Sequence, residues 1–318
     1  MPTPRPPTRL DRDTFLIDIG EGGVWNKTGV YLIQGERTCL IDSGTKAEAP
    51  RLVRTLRQMG AFPPDVIVVT HSHHDHAQGI PLLRAKAARE QKRIEVLASR
   101  EALPLLADPS YQEVLGHAPS ASITDVAALD EGDAVDLGST TLRVWRVPGH
   151  TIDQIALLDE SSGNLFVGDA IGAQIGASAF IPVFFAPFWD TGAFYDSIDK
   201  LRQIDYETLC LAHFGPVRGA EAKTILDRAV AVYEQWWRIL AENEDRLDDT
   251  DYLLDEILRE TQLTLPRIET ASPTLDVALG LLIAWNRLRH GRSWSVSKLF
   301  LPEYVRALVT GYRSCQGL

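Results

Sequence analysis

The sequence predicts an α+β protein in which two β-sheets pack face to face between outer helices, an αββα layering, followed by an all-helical extension. Strand and helix patterns alternate in two halves up to about residue 219, and each half combines a β-meander with helices. Sheets of this kind bury their apolar faces against each other and beneath helices. Beyond that point, apolar residues recur only at helical spacing. We therefore predict a first domain over 13–220 and a helical extension over 221–318 that covers the side of the functional site.

The composition is that of an ordinary globular protein. Hydrophobic residues make up 45% and charged residues 24% of the 318 residues, which excludes a disordered chain. The formal net charge of −11 argues against a nucleic-acid partner, and no apolar run reaches the roughly 18 residues that a membrane span needs. The three cysteines lie far apart and show no disulfide or metal-binding spacing, so we expect a reducing, cytoplasmic location.

Short apolar runs and helical spacing place the elements of the first half. Leu52, Val53 and Leu56 share one helical face, which predicts a helix over 49–59 that Gly60 ends. Residues 65–70 contain a continuous β-branched apolar run, as in a strand that is buried on both faces. The remaining strands are expected at 15–20, 30–34, 38–44 and 94–98, and the remaining helices at 78–91 and 101–107.

The second half repeats this pattern before the extension begins. Its strands are expected at 134–137, 141–147, 154–158, 165–167 and 208–212, with a helix at 195–204; the extension has helices at 221–241, 251–262, 274–290 and 296–312. These last helices carry large apolar side chains that need cover: Trp236, Trp237, Leu240, Leu281, Leu282 and Trp285. They can pack on the first domain, on each other or on a second subunit, which leaves a homodimer open.

A cluster of histidines follows the buried strand at 65–70. His71 and His73 lie two residues apart, so in an extended segment both imidazoles point the same way and can bind one metal ion. Asp75 and His76 come after the chain turns and can bind a second ion nearby. No cysteine accompanies them, which excludes a zinc finger. The cluster therefore predicts a metal site at the end of this strand.

Three other predicted strands also end at a possible ligand. His150 follows the strand at 141–147, Asp169 follows the strand at 165–167, and His213 follows the strand at 208–212. Each alone is an ordinary turn residue. Together with the histidine cluster they form a specific pattern of metal-binding residue types at strand ends.

This pattern resembles the signature of the metallo-β-lactamase fold superfamily, T-H-x-H-x-D-H followed by His, Asp and His. The residues that carry the resemblance are Thr70–His76, His150, Asp169 and His213. It implies an αββα sandwich with a dinuclear metal centre at the sheet edges. It assigns His71, His73 and His150 to one metal and Asp75, His76 and His213 to the other, with Asp169 bridging. Zinc is the default metal, and the same donors also suit iron or manganese. His74 and His117 fall outside the signature.

Within the superfamily the full ligand set is similar to the glyoxalase II-like branch of thioesterases and lactonases. The commonest zinc β-lactamases lack the histidine found here as His76 and have cysteine in place of Asp169. Lactonases of the branch usually place a tyrosine three residues after the bridging aspartate, where this chain has Gly172. The segment after Asp169 and the helical extension resemble, more loosely, the quinolone-signal response thioesterase group.

The segment 172–189 after the bridging aspartate is rich in aromatic residues. Two interpretations are open: these side chains bury against the helical extension, or they line an apolar acyl pocket beside the metals. The candidate pocket residues are Phe180, Phe184, Phe185, Phe188, Trp189 and, from the extension, Trp285.

These residues and the resemblance together predict a hydrolase. We expect a small-molecule thioester or lactone with an apolar acyl part to be cleaved by a hydroxide that bridges two divalent metal ions. Asp75 orients the hydroxide while it binds metal. The alternatives are a mononuclear iron persulfide dioxygenase, a phosphodiesterase or nuclease, and a non-catalytic regulatory protein of the same fold.

Overall fold

A computed structural model describes residues 5–113, 120–175, 179–264, 269–270, 273–290 and 297–318. His117, which the sequence analysis set apart from the metal ligands, lies outside these residues.

The first half of the chain forms a seven-stranded sheet with helices on its outer face. Its strands lie side by side in chain order: β1 (Thr8–Arg9), β2 (Thr14–Asp18), β3 (Gly29–Gln34), β4 (Thr38–Ile41), β5 (Val66–Val69), β6 (Glu95–Ser99) and β7 (Ala127–Leu129). The helices are α1 (Ala49–Gln58), α2 (His74–Ala77), α3 (Ile80–Arg89) and α4 (Ala102–Ala107). Strands β4 to β7 run parallel, so their carboxyl ends meet at one edge.

The second half forms a six-stranded sheet in the order β15-β14-β11-β10-β9-β8. Its strands are β8 (Ala134–Asp136), β9 (Thr141–Arg146), β10 (Ile155–Asp159), β11 (Asn164–Gly168), β14 (Thr208–Leu211) and β15 (Gly215–Arg218). A separate hairpin of β12 (Ala173–Ile175) and β13 (Ala179–Ile181) precedes helix α5 (Thr191–Leu201). Strand β10 is antiparallel to both β9 and β11, and β14 is parallel to β11. Strands β9, β11 and β14 therefore point the same way.

Three apolar cores confirm the αββα layering. The inner core lies between the sheets, where Tyr31 and Ile33 of the first sheet share one cluster with Val144 and Phe166 of the second. A second core joins the first sheet to α1 and α3. The third core joins the second sheet to α5 and to the C-terminal helices.

The C-terminal region is helical, as predicted, and its helices are α6 (Gly219–Ala241), α7 (Thr250–Thr261), α8 (Pro273–His290) and α9 (Ser297–Gln316). Helix α6 starts directly after β15 and belongs to the outer layer of the second sheet. Trp236 and Leu240 of α6 and Tyr312 of α9 are each 1% exposed. These helices therefore complete the third core rather than stand apart from it.

Helix α8 differs from the other C-terminal helices in the exposure of its apolar side chains. The expectation that Leu281, Leu282 and Trp285 are covered is wrong within this chain: they are 67%, 39% and 53% exposed. The homodimer stays a prediction, which sedimentation velocity over a range of protein concentrations tests. Among the helices of the described residues, none combines the length and the apolar character needed to cross a membrane.

The observed elements differ from the predicted ones at two informative places. Helix α5 begins at Thr191 rather than 195, because the side chain of Asp190 accepts a hydrogen bond from the backbone N–H of Ala193 and caps the helix. The segment 172–189, predicted as a loop, contains the hairpin β12–β13. Its strands are only three residues long, too short for a period-two pattern to stand out.

Gly311 provides a test of how closely α9 packs on the preceding structure. A β-carbon at 311 would overlap the carbonyl oxygen of Phe184 and lie 2.9 Å from its carbonyl carbon. We expect Gly311→Ala to lower the free energy of unfolding by about 1–3 kcal/mol despite the better helix propensity of alanine. Gly280→Ala in α8 is the matched control, since a β-carbon there meets no described atom within 4 Å. We expect it to leave stability unchanged or to raise it by up to about 1 kcal/mol. Urea unfolding of both variants checks this, and equal effects would contradict the close packing.

Candidate metal centre

The predicted ligands converge because they follow strands whose carboxyl ends share one edge of the sandwich. His71, His73, Asp75 and His76 follow β5 in the first sheet. His150 follows β9, Asp169 follows β11 and His213 follows β14 in the second sheet. Gly168 permits the turn before Asp169 with a φ of +52°, and a β-carbon there would lie 2.5 Å from Gln154 Nε2. The fold thus collects seven donors from four separate places in the sequence.

A first group consists of three buried imidazoles. Nε2 of His71 and Nε2 of His150 each lie 3.0 Å from Nδ1 of His73. A tetrahedral ion with bonds of about 2.0–2.1 Å holds its ligand nitrogens about 3.3 Å apart. The three nitrogens are therefore spaced as ligands of one ion.

A second group contains one carboxylate and two imidazoles. Oδ2 of Asp75 lies 3.3 Å from Nε2 of His213 and 3.7 Å from Nε2 of His76. These three ligand atoms all lie within 4.8 Å of one another, as do those of the first group. The structure thus brings together the residues that the resemblance assigns to each metal.

Asp169 lies between the two groups. Its Oδ2 is 3.6 Å from Nε2 of His150 and 3.4 Å from Nε2 of His213, while its Oδ1 is 3.5 Å from Nε2 of His76. One carboxylate therefore faces both sets of imidazoles, which is the placement that a bridging ligand requires.

The second ring nitrogen of most of these histidines is fixed by the surrounding protein. Nδ1 of His150 donates to the carbonyl of Val183 over 2.7 Å, and Nδ1 of His213 donates to the carbonyl of Lys27 over 2.8 Å. Nδ1 of His76 donates to the carboxylate of Asp42 over 2.8 Å. In the neutral form of each ring, such a contact leaves the lone pair of Nε2 available to a metal ion.

The electrostatics divide the site into a neutral part and a charged part. Burial lowers the pKa of His71, His73 and His150, so these imidazoles are neutral at pH 7. Burial also acts to lower the pKa of His76 and His213, but Asp169 and Asp75 outweigh it and raise both pKa values well above the usual range.

Both carboxylates of the site are ionised. Burial alone would raise the pKa of Asp75 and Asp169, but neighbouring imidazoles outweigh this effect. The imidazole beside Asp75 is that of His76, and those beside Asp169 are those of His213 and His76. They hold both pKa values well below the usual range. The negative charge that favours protonated imidazoles here equally favours a divalent cation.

The donors fit divalent metal ions in chemistry as well as in spacing. Imidazole and carboxylate suit zinc, iron and manganese alike. Nε2 of His76 and Oδ1 of Asp169 are buried and, within the described part of the chain, have no hydrogen-bond partner. Buried polar atoms are rarely left in this state, and coordination of a metal would satisfy both.

Asp42, which the sequence analysis missed, contacts a candidate ligand. It follows β4 with a φ of +62°, and its carboxylate accepts hydrogen bonds from the backbone N–H and the hydroxyl of Thr70 as well as from His76. It thereby ties the end of β4 to the ligand segment after β5. The predicted strand 38–44 runs past Asp42, whereas β4 ends at Ile41, so the strand-end rule that found Asp169 did not reach Asp42.

The ligand segment is also clamped at Ser72, between two of the histidines. Its backbone N–H donates to Asp153 over 2.7 Å, and its carbonyl accepts from the side-chain amide of Gln112 over 2.8 Å. Its hydroxyl shares a 2.8 Å hydrogen bond with the phenol of Tyr111. Among the histidines of residues 71–76, His74 alone belongs to neither group of donors. Its Nδ1 lies 3.5 Å from Oδ1 of Asp75.

The aromatic segment separates into two sets. Phe180, Phe184 and Trp189 are buried in the third core, where Phe184 packs against Tyr233 and Trp237 of α6. For these three, burial against the C-terminal helices is the correct interpretation.

Phe185 and Phe188 instead lie beside the metal centre. The ring centroid of Phe185 is 6.0 Å from that of His150. Phe188 lies 5.1 Å from Tyr111, whose ring is 6.3 Å from that of His73. Trp285 lies on the exposed face of α8, where the guanidinium of Arg289 stacks on it at 5.2 Å.

Comparison with known proteins identifies relatives of the first domain. The family model described as the metallo-beta-lactamase superfamily matches residues 24–213. A hydroxyacylglutathione hydrolase of Rhodopseudomonas palustris is 29% identical over 182 residues, which are 57% of this chain and 60% of that protein. An acyl-coenzyme A thioesterase of Bos taurus is 27% identical over 182 residues, which are 48% of this chain and 64% of that protein. The chain thus spans about three fifths of the length of these relatives.

Solved structures share the fold at low sequence identity. An archaeal metallo-beta-lactamase superfamily protein from Sulfolobus tokodaii matches with a TM-score of 0.60 and 19% identity, over 95% of this chain and 99% of that chain. A beta-lactamase domain protein from Burkholderia ambifaria gives a TM-score of 0.59 and 18% identity, over 74% and 80% of the two chains. Since the family model covers more than half of the sequence, this chain belongs to the metallo-beta-lactamase superfamily.

Proposed function

We propose that the protein is a dinuclear metal-dependent hydrolase of thioesters with an apolar acyl part. The observation that carries the proposal is the complete donor set: two groups of three donors, with Asp169 facing both. The relatives named hydroxyacylglutathione hydrolase and acyl-coenzyme A thioesterase support the thioester class. Zinc is the first metal to test, and iron or manganese would satisfy the same donors.

The chemistry divides between the metals and the residues that hold them. Bound divalent ions polarise a carbonyl oxygen and lower the pKa of water. His71, His73 and His150 would hold one ion, Asp75, His76 and His213 the other, and Asp169 both. Oδ2 of Asp75 lies near Nε2 of His213 and would hold metal, and Asp75 is also the residue that we propose orients the attacking water. A thiolate leaving group needs little protonation, which suits a site where no general acid is assigned.

The aromatic side chains beside the centre support an apolar acyl group. Phe188, Tyr111 and Phe185 form a wall on the His73 and His150 side. A carbonyl bound at the metals would leave its acyl chain against these rings. A lactone presents the same kind of carbonyl and stays the second candidate substrate.

The alternative functions differ from the hydrolase in what they require of the donor groups and of the protein's charge. A mononuclear iron persulfide dioxygenase needs only one of the two groups, whereas both are complete here. A nuclease would have to bind a polyanion on a protein with a net charge of −11. A non-catalytic regulator has no requirement for intact ligands. We therefore rank all three below the hydrolase.

Removal of the bridging carboxylate tests the ligand assignment. Asp169→Ala should lower the metal content at both sites and reduce thioesterase activity at least about 100-fold, because one side chain serves two ions. His74→Ala is the matched control, since this neighbouring histidine lies outside both groups. Metal analysis and steady-state rates check the pair. Equal loss of metal from the two variants would overturn the assignment.

A substrate screen on protein of known metal content tests the substrate class. We expect turnover of acyl-coenzyme A or acyl-glutathione thioesters, weaker turnover of lactones, and none of structured RNA. Oxygen uptake with glutathione persulfide separates the dioxygenase from the hydrolase. Cleavage of RNA without cleavage of any thioester or lactone would reverse the order of these functions.

Truncation of the aromatic wall tests the pocket. Phe188→Ala should raise KM for thioesters with long acyl chains several-fold more than for acetyl thioesters, because the Phe188 ring would contact only the acyl chain of the substrate. The role of Trp285 in the pocket remains a prediction, and Trp285→Ala measured beside Phe188→Ala decides it. An unchanged acyl preference in Phe188→Ala would place the acyl chain elsewhere.

A further inference from the structure

We propose that Tyr304, in the C-terminal helix α9, is a positioning residue for His150, so that the helical region forms part of the metal centre's support. The proposal rests on the ligand role proposed above for His150. Tyr304 reaches the histidine through the segment 182–185, which lies between α9 and the site.

Two adjacent carbonyls of this segment are held from opposite sides. The hydroxyl of Tyr304 donates a hydrogen bond to the carbonyl of Pro182. The next carbonyl, that of Val183, accepts from Nδ1 of His150 over 2.7 Å. Each peptide unit is planar, and the two units that carry these carbonyls share the Cα of Val183, so anchoring the first carbonyl limits where the second can lie. The phenol of Tyr304 therefore acts on the direction in which Nε2 of His150 points.

Ring packing follows the same path. Phe185 lies between the two residues, with its ring centroid 5.4 Å from that of Tyr304 and 6.0 Å from that of His150. Gly311, also in α9, lies directly against the backbone of Phe184 and Phe185. Helix α9 thus contacts this segment at Pro182, Phe184 and Phe185, and the segment has little freedom to move without it.

The hydroxyl of Tyr304 is suited to a permanent donor role. Burial, with the negative charge of Asp169 adding to it, raises the pKa of Tyr304 well above its usual value, so the phenol keeps its proton. Pro182 is buried and has no N–H of its own. Removal of the hydroxyl would leave a buried carbonyl without its donor, and the segment would shift to find another.

Two tyrosines of α9 allow a matched experiment. Tyr304→Phe deletes the hydrogen bond to Pro182, whereas Tyr312→Phe, eight residues further along the helix, deletes one to Glu244. We expect both to lower thermal stability by a similar amount. Only Tyr304→Phe should weaken zinc binding, by about 10-fold in competition with a chromophoric chelator, and shift the visible absorption bands of the cobalt-substituted protein. His150→Ala serves as the positive control for loss of the same ion.

Each outcome of this experiment has one meaning. If Tyr304→Phe and Tyr312→Phe have equal effects on zinc affinity and on the cobalt spectrum, Tyr304 is not a positioning residue. If His150→Ala leaves zinc affinity unchanged, the ligand role of His150 is wrong, and with it the proposed centre. Because the readout is metal binding, a protein that binds two ions but hydrolyses no thioester would refute the proposed function alone.

Discussion

The balance of charge among the buried donors is the constraint on which the rest of the structure depends. Asp75 and Asp169 are ionised only because imidazoles surround them, and His76 and His213 favour a positive charge only because these carboxylates are near. Neither the ionised carboxylates nor the protonated imidazoles could be buried without the other at an acceptable cost in folding free energy. The fold therefore has to deliver ligands from both sheets to one place, which the shared carboxyl ends of β5, β9, β11 and β14 achieve.

Much of this arrangement could be predicted from the sequence, because the ligands are marked by residue type and by position after an apolar run. His150, Asp169 and His213 were selected in this way and converge in the structure, whereas Asp42 was missed because the predicted strand 38–44 ran past the end of β4 at Ile41. The contacts that hold the histidine rings in place have no such signal in the sequence. Val183 and Lys27 act through backbone carbonyls, which every residue has, so their side chains give no signal.

The aromatic segment shows a second limit of sequence reasoning. Phe184 and Phe185 are identical neighbours, yet the first packs against α6 and the second against His150 and Tyr304. The two rings lie on different sides of the segment, so the burial interpretation holds for Phe184, whereas the pocket interpretation stays a prediction for Phe185. The side of the segment on which each ring lies depends on helices α6 and α9, which begin only at Gly219 and Ser297, and no local pattern records their placement.

If Tyr304 positions His150 as proposed, the third core and the candidate metal centre depend mechanically on one another. A shift of α6 or α9 that moves Phe184 also moves the adjacent Phe185 and the carbonyl of Val183, because one short stretch of backbone carries all three. Well-packed interiors transmit such displacements rather than absorb them. On this proposal the C-terminal helices meet two demands: they cover apolar surface, and they help to position His150. Substitutions at their interior positions should then change metal affinity before they unfold the protein, whereas substitutions on the exposed face of α8 should change neither. Zinc affinity and unfolding midpoints, measured on the same set of variants, distinguish this dependence from simple loss of stability.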